Sequence, residues 1–122
     1  MKKYLEKARE LVAQMTLEEK ASLCSGKDYW YLKHIERLGL SSIMITDGPH
    51  GLRKQLSSSE DLGISENVPA VCFPTAVAMA GSFDPMLLQE VGNAIAQECL
   101  QEEVSVLLGP GINIKRSPLC GR

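Results

Sequence analysis

The chain of 122 residues lacks a strong charge of either sign and lacks a long apolar run. Lysine and arginine total 13, against 15 for aspartate and glutamate, so the formal net charge at pH 7 is −2. Proteins that bind nucleic acid carry a basic surface, and this balance argues against that class of partner. No apolar run approaches the roughly 20 residues that cross a bilayer, so we expect no membrane contact.

A secretion signal and a metal-binding cysteine pattern are absent as well. Charged residues fill most of positions 6–10, where a signal peptide would be apolar, and this predicts a cytoplasmic protein. Zinc sites use closely spaced ligand pairs, whereas the cysteines here form no C-x-x-C pair and only two histidines occur. We therefore predict no metal, no cofactor and four reduced, buried or half-buried thiols: Cys24, Cys72, Cys99 and Cys120.

Two catalytic loop signatures are also missing. Gly109 and Gly111 resemble the start of a dinucleotide-binding loop, but position 114 is Ile114 and Pro118 soon follows. That fingerprint needs a helix to begin at the loop, and none is predicted there. The G-x-S-x-G elbow of serine hydrolases does not occur. The sequence therefore favours neither nucleotide binding nor serine-type hydrolysis.

Two helices are predicted at the start of the chain. Apolar residues recur at helical spacing from Tyr4 to Met15 and would form one apolar stripe. Thr16 and Glu19 have the spacing of a capping box, which predicts a second helix that stops near Ser25.

Three short apolar runs predict strands covered on both faces, over residues 43–46, 76–80 and 104–108. Asp84 as N-cap and Pro85 as first residue predict a helix between the second and third runs. We expect its acidic end to be held by solvent or by a missing partner, since the helix dipole disfavours Glu102 and Glu103. Its apolar face would contain Leu88, Val91, Ile95 and Cys99.

The alternation of strand, helix and strand predicts a parallel α/β fold. Three strands cannot close an eight-stranded barrel, which takes about 250 residues, so we interpret the chain as the front part of something larger. The alternative is a small three-stranded α/β domain, whose last strand would lack a covering helix. The connection 48–75 is long, and loops of that length are usually functional.

Polar side chains follow the predicted strands, where parallel α/β folds bind ligands. Asp47 comes after the first run, and Asn113, Arg116 and Arg122 come after the third. A carboxylate and guanidinium groups on one rim would suit a polyhydroxylated ligand. Local sequence leaves other interpretations open, because Asp before Gly-Pro is more often a turn residue and a solvated charge is the default for Arg116.

Four sequence blocks occur in a recognisable order. They are M-T-L-E-E-K at 15–20, T-D-G-P-H-G-L-R at 46–53, F-P-T with A-G-S-F-D within 73–84, and G-P-G-I-N-I with R-S-P-L-C-G-R within 109–122. In this order they resemble the N-terminal domain of glycoside hydrolase family 3, most of all its bacterial β-glucosidases. The resemblance covers nearly the whole chain.

The resemblance implies a fold, an activity and site residues. Residues 1–122 would be an α/β, incomplete N-terminal part of a (β/α)8 TIM-like barrel, with about three strands and flanking helices. The complete enzyme would be a retaining, exo-acting β-glucosidase-like hydrolase. Asp47 and Arg122 match residues that bind the sugar at the cleavage subsite, and Arg53 matches an arginine that supports the same subsite. The implied partners are a β-glucoside-like carbohydrate, the remainder of the barrel and a second domain.

The resemblance also implies what the sequence does not supply. Retaining hydrolysis uses two carboxyl groups about 5–5.5 Å apart. In this family both follow the Gly-Arg block, as does a Lys-His sugar-binding pair, and none has a counterpart here. Asp28 with Tyr29 and Trp30 resembles the nucleophile motif only by accident. We therefore assign no catalytic residue and expect the chain to be inactive alone, the alternative being a non-catalytic carbohydrate-binding or interaction module.

Overall fold

The computed structural model describes residues 2–56, 66–113 and 116. This part of the chain is a mixed α/β structure with a two-stranded parallel sheet. No helix in it is long and apolar enough to cross a membrane. The chain divides into two compact units, Met1–Met44 and Ile45–Arg122. Its elements are α1 (Lys2–Gln14), α2 (Leu17–Leu23), a 3-10 helix (Glu36–Leu38), β1 (Ile45–Asp47), α3 (Ala76–Ala80), α4 (Pro85–Gln101) and β2 (Val106–Leu108).

The first unit confirms both predicted helices and the capping box between them. The Thr16 hydroxyl accepts a hydrogen bond from the backbone N–H of Glu19 at 3.2 Å, and the Glu19 carboxylate accepts one from the backbone N–H of Thr16 at 2.8 Å. These reciprocal bonds satisfy two donors that a helix start leaves open. Helix α2 ends at Leu23 with Cys24 as its C-cap, close to the predicted stop.

The apolar stripe predicted on α1 is present but remains exposed. Tyr4 is 76% exposed, and Leu5 and Val12 are also exposed. No residue of α1 is buried. The buried apolar side chains that the structure describes in this unit are Met15, directly after α1, Ile35, at the start of the 3-10 helix, and Met44, directly before β1.

The second unit confirms the predicted helix α4 and its start. The Asp84 carboxylate accepts hydrogen bonds from the backbone N–H groups of Met86 at 2.9 Å and Leu87 at 3.2 Å. Pro85 is the first helical residue, where its missing N–H costs nothing. The predicted apolar face of α4 lines a groove of about 780 Å³, together with residues of α3 and β2.

The predicted strand at 76–80 is wrong, because these residues form helix α3. Alanine and methionine are good helix formers, and the run contains a single β-branched residue, Val77. Thr75 caps the helix, since its hydroxyl accepts a hydrogen bond from the backbone N–H of Ala78 at 3.4 Å. An apolar run of five residues does not by itself distinguish a strand from a helix.

The strands of the first and third runs are confirmed and pair in parallel, with Asp47 opposite Leu108. The expectation that both faces of each strand are covered is wrong for β2, where Val106 is 38% and Leu108 is 58% exposed. The described part of the chain supplies two strands rather than three, and no helix that follows β2. Nothing there covers the second face of β2.

The three described cysteines are free thiols in two different environments. Cys99 is buried on α4, whereas Cys24 and Cys72 are exposed, so the prediction of buried or half-buried thiols holds for one of these three. Burial, and secondarily the neighbouring Glu98 carboxylate, raises the pKa of the Cys99 thiol. Cys120 lies outside the described residues.

Candidate functional site

The candidate site lies at the C-terminal end of β1, where the chain reverses tightly. A side chain at Gly48 would place its Cβ 2.6 Å from the carbonyl oxygen of Gly51, and Gly51 itself has a φ of 138°. Positions with close backbone approach or positive φ are those where glycine is needed. The turn brings residue 53 back beside residue 47. The first part of the long connection, residues 48–53, therefore has a defined backbone pairing.

Asp47 and Arg53 are brought together by this turn. The backbone N–H of Arg53 donates to the carbonyl oxygen of Asp47 at 3.1 Å, and the buried hydroxyl of Thr46 donates to the carbonyl oxygen of Arg53. The guanidinium Nη1 of Arg53 lies 3.7 Å from Oδ2 of Asp47. The two side chains are 49% and 45% exposed, so a ligand can reach both charged groups from solvent.

The segment after β2 passes beside the same turn. The backbone N–H of Gly111 donates to the carbonyl oxygen of Pro49 at 3.4 Å, which places residues 109–111 next to the segment that follows Asp47. Polar residues after the two strands therefore start from one edge of the sheet, as the parallel arrangement predicts. Of the predicted rim residues, Asn113 and Arg116 are exposed, and Arg122 lies outside the described residues.

Sequence reasoning missed one charged residue beside this site. The Lys54 ammonium donates to the backbone carbonyl of Glu102 at 2.7 Å and to its carboxylate at 3.0 Å. The acidic end of α4 therefore has a protein partner at Glu102, contrary to the expectation of solvent or a missing partner. The sequence did contain one signal for this contact, the acidic residue at the predicted helix C-terminus. A cation is favourable there, but the sequence does not show which lysine or arginine supplies it.

Within residues 2–56, 66–113 and 116, no three histidine, cysteine, aspartate or glutamate side chains stand close enough together to hold a metal ion. At the end of β1, the Asp47 carboxylate can accept hydrogen bonds and the Arg53 guanidinium can donate them.

Similar sequences are enzymes that act on sugars. The chain is 60% identical over 114 residues to thermostable β-glucosidase B of Acetivibrio thermocellus, covering 93% of this chain and 15% of that enzyme. It is 56% identical over 112 residues to an exo-α-(1→6)-L-arabinopyranosidase of Bifidobacterium longum, covering 91% of this chain and 15% of the relative. The chain thus spans about 15% of the length of these curated relatives. No protein-family profile matches it.

Solved structures agree with the sequence relatives. The Bifidobacterium adolescentis GH3 β-glucosidase superposes with a TM-score of 0.71 at 53% identity, over 88% of this chain and 14% of that one. The chain corresponds to part of the glycoside hydrolase family 3 β-glucosidases. Thermotoga neapolitana β-glucosidase 3B, in complex with α-D-glucose, superposes with a TM-score of 0.76 at 33% identity, over 95% of this family 3 chain and 18% of its own.

The family resemblance predicted from the four sequence blocks is confirmed, and so is the α/β class. What the structure shows of the fold is coarser than a barrel: a two-stranded parallel sheet with helices that matches part of the family 3 enzymes. The Asp47–Arg53 pair lies at the end of β1 in that matched part. The roles of Asp47, Arg53 and Arg122 toward sugar remain predictions.

Proposed function

We propose that residues 1–122 form the N-terminal part of the (β/α)8 barrel domain of a retaining, exo-acting glycoside hydrolase. The complete enzyme would remove terminal non-reducing β-D-glycosyl residues. The identity of 60% to a β-glucosidase supports this activity class. Parallel pairing of β1 with β2, through the intervening helix α4, supports the beginning of a parallel α/β barrel.

The observation that carries the proposal is the half-exposed Asp47–Arg53 pair at the end of β1. A carboxylate accepts hydrogen bonds from two neighbouring sugar hydroxyls, and a guanidinium presents donors in a fixed plane. At 3.7 Å the two groups are close enough to orient each other without closing the carboxylate to a ligand. Arg122 would add a second guanidinium to the same sugar.

Asp47 and Arg53 would act by positioning the sugar ring. In retaining hydrolysis, one carboxylate attacks the anomeric carbon while a carboxylic acid protonates the leaving oxygen, which gives a covalent glycosyl-enzyme. Water, deprotonated by the same acid/base residue, then hydrolyses this intermediate and frees the sugar and the carboxylate. We assign neither of these two groups to the present chain. Hydrogen bonds that the Asp47 carboxylate accepts from the sugar hydroxyls, and that strengthen as the ring distorts, would lower the barrier to both steps.

The test is a hybrid enzyme, in which residues 1–122 replace the matching segment of the Acetivibrio thermocellus β-glucosidase. Its kcat/KM is measured with an aryl β-D-glucoside and with an aryl α-L-arabinopyranoside, since relatives of both specificities occur. We expect Asp47→Ala to lower kcat/KM about 100-fold, because misplacing a substrate by 1 Å costs about that much. Arg53→Ala and Arg122→Ala should each cost about tenfold.

The matched control is Glu6→Ala, which removes an exposed carboxylate of α1 in the other unit. It should leave kcat/KM unchanged. An Asp47→Ala hybrid as active as the parent hybrid would overturn the site assignment. The higher kcat/KM of the two aryl glycosides identifies the sugar preferred by this segment in the hybrid.

A second candidate is a non-catalytic carbohydrate-binding or interaction module. The observation that favours it is the half-exposed Asp47–Arg53 pair, whose carboxylate and guanidinium a monosaccharide can reach from solvent. Such a module would fold alone and bind monosaccharide, so glucose would raise its melting temperature. No effect of glucose on a cooperative melting transition would count against this candidate.

A further inference from the structure

The segment that carries Arg53 is extended and is anchored immediately after that residue. Arg53 bridges to Asp47 and Gln55 bridges to Asn67, which places residues 53–55 between two antiparallel neighbours. Side chains of consecutive residues in an extended segment point to opposite sides. Arg53 can therefore extend toward Asp47 while Lys54 extends toward the end of α4.

The Lys54 ammonium group anchors this segment through two hydrogen bonds. Nζ of Lys54 donates to both the carbonyl oxygen and the carboxylate of Glu102, and the two side chains are only 23% and 36% exposed. Partial burial lowers the screening by water, so this ion pair is stronger than a fully exposed one. The C-terminal end of a helix carries partial negative charge, which a lysine there offsets.

Helix α4 also contacts residues 66–75, the second described part of the connection between β1 and α3. Glu98 lies one turn before Glu102, and its carboxylate accepts a hydrogen bond from the backbone N–H of Val71 at 3.1 Å. The backbone N–H of Val68 donates to the carbonyl oxygen of Lys54 at 2.8 Å, which joins residues 66–75 to the segment that contains Lys54. Lys54 is thus bonded both to the end of α4, through its side chain, and to residues 66–75, through its backbone.

We infer that Lys54 is a positioning residue, which fixes the guanidinium of Arg53 beside Asp47 by locking the adjacent backbone onto the C-terminal end of α4. The inference rests on the proposed function, because it gives the Asp47–Arg53 pair the role of holding sugar. Lys54 does not touch the sugar in this arrangement. It acts through the position of its neighbour.

The first test measures hydrogen exchange of backbone amides in the 122-residue chain. Lys54→Met keeps most of the aliphatic stem but removes the charge, Lys54→Arg keeps the charge, and Glu102→Gln removes only the anionic partner. We expect the Arg53 amide to exchange at least about tenfold faster in Lys54→Met and faster in Glu102→Gln, with Lys54→Arg restoring the parent rate.

The control amide is that of Phe73, which donates to the carbonyl oxygen of His50 at 2.8 Å in the same unit. Its exchange rate should not change in any of the three variants. Equal acceleration of the Arg53 and Phe73 amides would show that Lys54 only stabilises the unit, and would overturn the inference. An unchanged Arg53 rate in both Lys54→Met and Glu102→Gln would overturn it too.

The second test uses the hybrid enzyme. We expect Lys54→Met to raise KM for the preferred aryl glycoside about tenfold with a smaller change in kcat, and Lys54→Arg to restore KM. If Asp47→Ala lowers kcat/KM about 100-fold while Lys54→Met changes nothing, the positioning role is overturned and the proposed function stands. If Asp47→Ala changes nothing, the sugar-holding role that the proposed function gives to Asp47 fails, and the exchange rates alone decide whether Lys54 holds Arg53 in place.

Discussion

Arg37 joins three parts of the first unit through one guanidinium group. Its Nε and Nη2 donate to the two carboxylate oxygens of Glu19 at 3.1 and 2.6 Å, and Nη2 also donates to the carbonyl oxygen of Gln14 at 3.0 Å. The 3-10 helix is thereby fixed to the end of α1 and to the capping box of α2. Paired bonds of this kind are stronger than a single lysine contact.

The same contacts make the first unit sensitive to acid. The hydrogen bonds from Arg37, and next the backbone N–H of Thr16, hold the pKa of Glu19 below its ordinary value. Because the folded pKa lies below the unfolded value of about 4.3, the stabilisation is complete above that pH and is lost as pH falls through the folded pKa. Glu18 adds a dependence of the same sign, since its own backbone N–H and the Thr16 hydroxyl lower its pKa.

We predict that Arg37→Met makes the stability of this unit less dependent on pH between 6 and 3. The substitution removes the largest cause of the lowered Glu19 pKa, so less stability remains to be lost in acid. Trp30 is the only tryptophan and lies in this unit, so its fluorescence reports urea midpoints at both pH values. Arg9→Met, at an exposed position of α1, is the matched control and should behave like the parent chain. The same loss of midpoint in Arg37→Met and parent would contradict the prediction.

At the residue scale, the sequence predicted the Thr16–Glu19 capping box, which spans three residues. The family resemblance gave Asp47 and Arg53 to one subsite, but their direct contact across the turn at Gly48 and Gly51 was not predicted. Lys54 and Glu102 are 48 residues apart, and their contact depends on how β1, the extended segment that contains Lys54, and α4 pack together. Patterns of neighbouring residues do not indicate which residues far apart in the sequence come into contact.

At the scale of elements, helices with a clear start were predictable, whereas the short apolar runs were assigned correctly in two of three cases. Helix α4 begins as predicted because an N-cap acts on its own first turn. The runs 43–46 and 76–80 look alike in hydrophobicity, yet the first contains a strand and the second a helix. The difference comes from helix propensity and from the Thr75 cap, signals that the hydrophobic pattern alone does not include.

We predict that Asp84→Ala lowers the free energy of unfolding by about 1 kcal/mol, the usual cost of losing an N-cap side chain. Two backbone N–H groups, those of Met86 and Leu87, lose their acceptor in this variant. Asp84→Asn is the matched control, because its amide oxygen still accepts these bonds, and it should cost only a few tenths of a kcal/mol. Urea unfolding followed by circular dichroism at 222 nm measures both. Equal losses in the two variants would show that the charge, and not the cap, stabilises α4.

At the scale of the whole molecule, the sequence predicted parallel pairing but not how much apolar surface stays open. The groove beside α3, α4 and β2 holds about 780 Å³ and is lined almost entirely by apolar side chains, including Leu88, Ile95 and Ile112. Open apolar surfaces of this kind mark interaction sites or cause association. The relatives are more than six times longer than the matched segment, so they have ample chain to cover such a surface.

We predict that the 122-residue chain alone self-associates through this groove and binds an apolar fluorescent dye there. Ile112 is 81% exposed and lines the groove, so Ile112→Gln should weaken both effects about tenfold, since burying such a side chain is worth about 1.5–3 kcal/mol. Val77 on α3 is 59% exposed but does not line the groove, which makes Val77→Gln the matched control. Sedimentation velocity over a concentration series and dye titration measure the two effects. Equal weakening by both substitutions would show that general surface hydrophobicity, and not the groove, drives association.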